Sequence, residues 1–154
     1  MAVKLNRRAY EHAKALIGEG RFEFDERDAW SEHQPSALEE SEYIRLHGFA
    51  EYGKWYLGVD DERPENTKGH YEFPYGDFEK VHRCGVLAAE SRAGQYRHYD
   101  IDLAAAHLHG MMEGRKAASA HSQRLLQAQR RMGPDTRGGR GKPDAVSAVR
   151  DPKN

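Results

Sequence analysis

Two aromatic-rich stretches, KWYLGVD ending at Asp60 and GHYEFPYGD ending at Asp77, constrain this chain more than anything else in it. Aromatic and β-branched residues suit a pleated, half-buried surface. The segment between them, DERPENTKG, is polar and rich in turn formers. Strands are therefore predicted over Lys54–Val59 and His70–Tyr75, paired as a β-hairpin, with Pro74 at a strand end because it cannot donate a ladder hydrogen bond. The competing reading continues a helix through Phe49–Leu57.

A lone hairpin is marginal in water, so helices must cover it. The chain supplies them. Asn6 is placed to cap a helix over Arg7–Ile17, with Ala9, Tyr10, Ala13, Leu16 and Ile17 on one face, and Gly18 and Gly20 stop it. Ser36 and Glu39 have capping-box spacing and open a second helix that Gly48 ends. Asp77 is read as the cap of a third helix, Phe78–Gln95, and Asp100 as the cap of a fourth, from Ile101 to at least Met112. Arg115–Met132 is a further helical stretch. Arg21–Pro35 carries no clear period and reads as a short extended piece and a loop. The expectation is a mainly helical α+β fold, with about four to five helices on a two-stranded aromatic hairpin. Residues 1–132 form one domain in this reading, and the Gly-, Pro- and charge-rich residues 133–154 a disordered basic tail.

Charge is uneven. Met1–Gln123 carries 16 Lys+Arg and 22 Asp+Glu, net −6; Arg124–Asn154 carries 8 and 3, net +5. An acidic body with a basic tail makes nucleic-acid binding by the body unfavourable and by the tail conceivable, through Arg137 and Arg140 set among glycines. A single cysteine, Cys84, excludes an intrachain disulfide. No apolar run reaches the roughly 18 residues of a membrane span, and the N-terminus lacks a leader-like apolar core, so a soluble cytoplasmic protein is expected.

The chemistry-bearing residues form no complete constellation. In HYDIDLAAAHLHGMM, His107 and His109 diverge by about 200° on a helix and cannot share an ion. His109 and Glu113 share a face but lack further ligands. Glu79 and His82 have the Glu-x-x-His spacing of carboxylate-bridged metal bundles, without the second copy such bundles need. Cys84, two residues past His82, reads as a small buried thiol; a Cys–His pair would need another histidine brought in by the fold. Arg92 falls on the expected packing face of the third helix, either paired there or binding an anion. Trp55 and Tyr75 lead an aromatic group that is core by default and a contact surface otherwise. Trp30-Ser31-Glu32-His33 has hydroxyl, carboxylate and imidazole but no nucleophile-elbow context. There is no phosphate-binding loop and no dinucleotide fingerprint.

The stretches WSEHQPS, HGFAEYGKWYLG, YEFPYGDFEKVHRCGVLAAESRAGQY and AAAHLHGM resemble a small, uncharacterised family of bacterial proteins. The resemblance implies a bacterial, cytoplasmic setting and brings no activity or site residues. The sequence reading is thus a non-enzymatic binding or interaction module without cofactor or metal, with a protein partner or, through the tail, nucleic acid. The alternative is a small metal-dependent or acid/base enzyme that uses histidines and carboxylates of the third and fourth helices. The candidate binding residues of the chain are Arg92, His82, Glu79, Trp55 and Tyr75, and no catalytic residue is assigned.

Overall fold

The computed structural model describes residues 3–132, with side chains through residue 130. In chain order the elements are β1 (Val3–Leu5), α1 (Arg7–Gly18), β2 (Phe22–Glu23), α2 (Trp30–His33), α3 (Ala37–Tyr52), β3 (Tyr56–Asp60), β4 (Tyr71–Pro74), β5 (Val81–His82), α4 (Arg83–Gln95) and α5 (Tyr99–Met132), joined by short 3₁₀ turns. This is a mixed α+β fold dominated by helix. Contacts divide the chain at Arg115: one compact unit ends there, and the rest of α5 belongs to a second unit.

The predicted hairpin forms with shifted ends, since Lys54 and Trp55 lie in one 3₁₀ turn and His70 in another. β3 and β4 pair antiparallel, with Tyr56 opposite Pro74 and Val59 opposite Tyr71. It is not two-stranded, however. β1 adds to the other edge of β3, antiparallel, with Leu5 opposite Gly58. The three residues of β1 carry too short an alternation to be read as a strand. They are held by the ladder and by Asp100, whose Oδ2 accepts from the Leu5 N–H at 2.8 Å.

α1 buries Ala9, Ala13, Leu16 and Ile17, the face expected from a 3.6-residue period. The capping box of α3 is present, with the Glu39 N–H donating to Ser36 Oγ at 3.1 Å and Ser36 N–H to Glu39 Oε1 at 2.8 Å. Gly48 takes φ 85° and ψ 168° and stops the helical geometry as expected, and a further helical segment carries α3 on to Tyr52. The apolar core joins α1, β3, β4, α4 and the first part of α5 through residues such as Leu57, Tyr75, Val86, Ile101, Leu108 and Met112.

Three expectations are corrected. The third helix starts at Arg83, not Phe78, because Val81 and His82 are taken into β5. There Val81 is fully buried and the ladder to β2 satisfies the backbone. The fourth helix and the Arg115–Met132 stretch are one continuous helix, α5, since Gly110 and Gly114 cost propensity without breaking it. Asn6 sits before α1 but gives it no side-chain cap. The expected tail beyond Gly133 lies outside the described residues. No helix among the described residues is long and apolar enough to cross a membrane.

Candidate metal centre

The smallest sheet builds the site. β2 and β5 pair in parallel, with Phe22 opposite Val81 and Glu23 opposite His82. That pairing brings the chain just after β2 alongside the β5–α4 junction, so Asp25 meets His82 and Cys84. Cys84 is the second residue of α4, where backbone N–H groups have no partner within the helix. Asp25 Oδ1 accepts one of them, the Cys84 N–H, at 2.8 Å.

The other carboxylate oxygen is the hub. Asp25 Oδ2 lies 2.7 Å from His82 Nδ1, 2.7 Å from His33 Nδ1 and 3.1 Å from Cys84 Sγ. Cys84 Sγ lies 3.6 Å from His33 Nδ1. One donor atom from each of Asp25, His33, His82 and Cys84 lies within 4.8 Å of all the others. The group is largely sealed. The side chains of Asp25 and His82 are 9% and 6% exposed, Cys84 is fully buried, and only His33 is more open at 35%.

The remaining nitrogen of His82 is also held. Nε2 is 2.8 Å from Asp77 Oδ2. Asp77 is fixed in turn by the tight turn before β5, where its Oδ1 accepts from the Glu79 and Lys80 N–H groups at 2.9 Å each. Asp77 therefore does cap backbone donors, but those of a turn rather than of a helix. Phe78 in that turn has φ 72°, a left-handed conformation that is costly for an aromatic residue. Its ring is stacked on Tyr43 at 4.4 Å, which helps to offset the strain.

The arm carrying Asp25 and His33 is anchored from α4. Arg83 Nη1 donates to Asp25 O at 3.0 Å, and its guanidinium lies 4.6 Å from the Phe24 ring centre. Trp30 of α2 packs over Gly85. A Cβ there would stand 2.7 Å from Tyr75 O and 2.9 Å from the Trp30 ring, so glycine is needed for the close approach.

By itself the group is a hydrogen-bonded cluster that holds its protons. Burial pushes the Asp25 carboxyl up, but hydrogen bonds from His82, Cys84 and His33 outweigh it and hold the group at about 2. Burial and the adjacent Asp25 push the Cys84 thiol up to about 12. Burial works against the charged form of His82, and the two flanking carboxylates, Asp77 and Asp25, overcome it and raise its pKa. A thiol beside an anion is not a nucleophile by itself, because the thiolate is the reactive form. A divalent cation changes that balance, since it favours both anions. Asp25 and Cys84 would together neutralise its charge, and two neutral imidazoles would complete the set. Zinc takes this mixture of S, N and O donors in tetrahedral geometry, with ligand atoms about 3.3–3.7 Å apart; the Asp25 Oδ2 contacts, at 2.7–3.1 Å, would have to open by a few tenths of an ångström to admit it. A thiolate and imidazoles argue against magnesium and calcium, which prefer oxygen. Asp77 on His82 Nε2 is the carboxylate–histidine support that metal-bound imidazoles usually have.

Compared with known protein families, characterised proteins and solved structures, the chain matches none. The site is therefore read from its own chemistry.

Of the five candidate binding residues only His82 enters this group; Cys84 joins it as the buried thiol expected, and the fold does bring it another histidine, His33, at 3.6 Å. Glu79 is exposed in the turn rather than sharing a helix face with His82. Arg92 is exposed on α4 instead of packed inward, its guanidinium 5.9 Å from the Phe73 ring centre. Phe78 and Val81, which define that packing face in the sequence, are not part of the helix. Trp55 and Tyr75 are 4% and 0% exposed and belong to the core, where Tyr75 Oη donates to Lys54 O at 2.6 Å. His98 and His107 do not converge on His82: His98 meets the Phe73 ring edge-on, and His107 Nδ1 is bonded to Tyr10 Oη. His109 lies 3.0 Å from Glu113, as its spacing suggests. Asp25 and His33 were not singled out as ligands. The nearest hint was His82-Arg83-Cys84, where the i, i+2 spacing serves a common ion only if the helix starts between them, as it does.

Proposed function

We propose that the chain is a non-enzymatic binding domain clipped together by one zinc ion on Asp25, His33, His82 and Cys84. The observation that carries this reading is the convergence of four ligand-type side chains from three separate stretches of chain, with Asp77 supporting His82 from behind. Four protein ligands fill a tetrahedral ion and leave no position for substrate, which is the pattern of structural rather than catalytic zinc. A reducing, cytoplasmic setting suits a centre that depends on a free thiol.

The test begins with protein stripped by chelator. Titrated zinc should bind at one ion per chain, and cobalt(II) should give an intense thiolate-to-metal absorption. His33→Ala removes the most exposed ligand with the least disturbance to packing and should weaken binding steeply. His109→Ala removes an unrelated histidine and should leave it unchanged. Absence of zinc and cobalt binding, or binding that survives both His33→Ala and Cys84→Ser, would overturn the assignment. The more open His33 favours one further reading, that an outside ligand replaces it. Turnover of ester or amide substrates by zinc-loaded protein, lost in Cys84→Ser, would replace the non-enzymatic role with a catalytic one.

A further inference from the structure

A second site lies between α1, β3 and the β3–β4 loop, apart from the Asp25 group. A groove of about 450 Å³ is lined at one end by Asn6, Arg8 and Lys54, and at the other by Glu65, Asn66 and His70, with Phe49 and Tyr71 among its walls.

At the first end three cations gather around a single carboxylate, Glu51. α1 has no acidic residue in its first turn and no side-chain cap. Asn6, the residue placed to cap it, instead gives its amide N–H groups to Gly53 O and Tyr56 O at 2.9 and 3.0 Å. The helix therefore starts with uncapped N–H groups, and Arg7 and Arg8 add cations where the helix dipole already disfavours them. Neither arginine has a carboxylate within ion-pair distance among the described residues. Lys54, 3.0 Å from Glu51, brings a third cation to the same end. Uncapped N–H groups with adjacent cations are the usual elements of a phosphate site.

The other end supplies an independent observation. His70 is only 7% exposed. Its Nδ1 lies 2.7 Å from Asp60 O and 2.9 Å from Arg63 O. Carbonyls only accept, so Nδ1 carries the proton, and the neutral ring keeps its lone pair on Nε2. Nε2 has no partner among the described residues and is not sealed from solvent, so the groove that His70 lines is where it can find one. The fold thus holds an acceptor that opens to the groove in a fixed tautomer, and Glu65 also lines the groove. Phe49 and Tyr71, with near-parallel rings, give an apolar wall against which the carbon face of a sugar can lie.

We infer that this groove binds a small hydroxylated phosphomonoester, with its phosphate at the start of α1 against Arg8 and Lys54 and a hydroxyl donating to His70 Nε2. A sugar phosphate and the ribose phosphate of a nucleotide share this chemistry.

The full chain is titrated by calorimetry with ribose 5-phosphate, AMP, ribose and inorganic phosphate. Ribose 5-phosphate should bind one to one, at least tenfold tighter than ribose or phosphate alone. AMP binding tighter than ribose 5-phosphate would identify a nucleotide as the source of the phosphate; the reverse would identify a free sugar phosphate. Arg8→Gln, at an exposed position, should weaken binding tenfold or more. His70→Asn keeps a donor near the Nδ1 position and removes the Nε2 acceptor. It should weaken ribose 5-phosphate tenfold while leaving inorganic phosphate unchanged. The inference is overturned if neither phosphomonoester saturates the protein by about 10 mM, a limit beyond ordinary weak binding, or if Arg8→Gln binds as tightly as the parent chain.

Discussion

The arm from Arg21 to Ser36 and the body it rests on are held in different ways. None of the arm's residues is buried. The body, by contrast, buries Val86, Leu87, Ala89 and Ala93 of α4 and Ile101, Ala105, Leu108 and Met112 of α5. Apolar burial is non-directional and divides among many contacts, so the body tolerates change in increments. The arm packs only partly buried rings, Phe22, Phe24 and Trp30, and depends besides on a few directional groups: the β2–β5 ladder, Arg83 on Asp25 O, and the Asp25 carboxylate. Such a polar group is worth most when every member is satisfied and loses disproportionately when one is removed. A metal ion at its centre would act on the arm first and on the body only through it.

The largest expected effect tests the body. Leu108→Ala empties a fully buried position and should cost roughly 2–5 kcal/mol in denaturant unfolding. The loss should be the same with and without zinc, and a zinc-dependent loss would mean that arm and body are not separable. Next comes zinc itself. At 100 times its dissociation constant it should stabilise the parent chain by about 2.7 kcal/mol. It should also protect the arm from tryptic cleavage after Arg27. Unchanged cleavage at Arg27 in the presence of bound zinc would show that the ion does not hold the arm.

Asp77→Asn keeps an acceptor for the turn but removes the charge behind His82. Zinc affinity should fall about 10–100-fold, as with other supports of metal-bound histidines. If affinity is unchanged, Asp77 serves the turn alone. The smallest effect is expected at the far end of the arm. Ser36→Ala deletes the capping box of α3 and should cost about 1 kcal/mol, read as a lower thermal midpoint. Zinc affinity should be unaffected. A loss of zinc binding there would extend the dependent region into α3.

Legibility followed the range of each interaction. The face of α1, the Ser36–Glu39 box and the β3–β4 hairpin were visible because each is decided by residues near in sequence, through periodicity, capping and turn chemistry. The start of α4 was misread because Asp77 has the chemistry of a helix cap and Val81–His82 are compatible with helix. Pairing with β2, 59 residues upstream for Phe22 and Val81, decided otherwise. Glu79 is misplaced with that helix, and Arg92 with the packing face that Phe78 and Val81 give it. Trp55 and Tyr75 were weighed as core or contact surface, and the packing of α1 and β4 around them made them core.

The candidate centre marks the same boundary from the other side. The sequence by itself determined which donors exist: one thiol, nine histidines, an excess of carboxylates in the body, and Gly85 where Trp30 has to come close. It also placed His82 and Cys84 two residues apart, a spacing that diverges on a helix. Only the tertiary structure decided that a strand ends and a helix begins between them, that Asp25 reaches the first turn of that helix, and that His33 folds over both. The physical reason is distance along the chain. A metal-sized cluster is fixed to within a few ångströms by a two-residue parallel ladder between segments more than fifty residues apart, and nothing in the local pattern of either segment encodes that pairing.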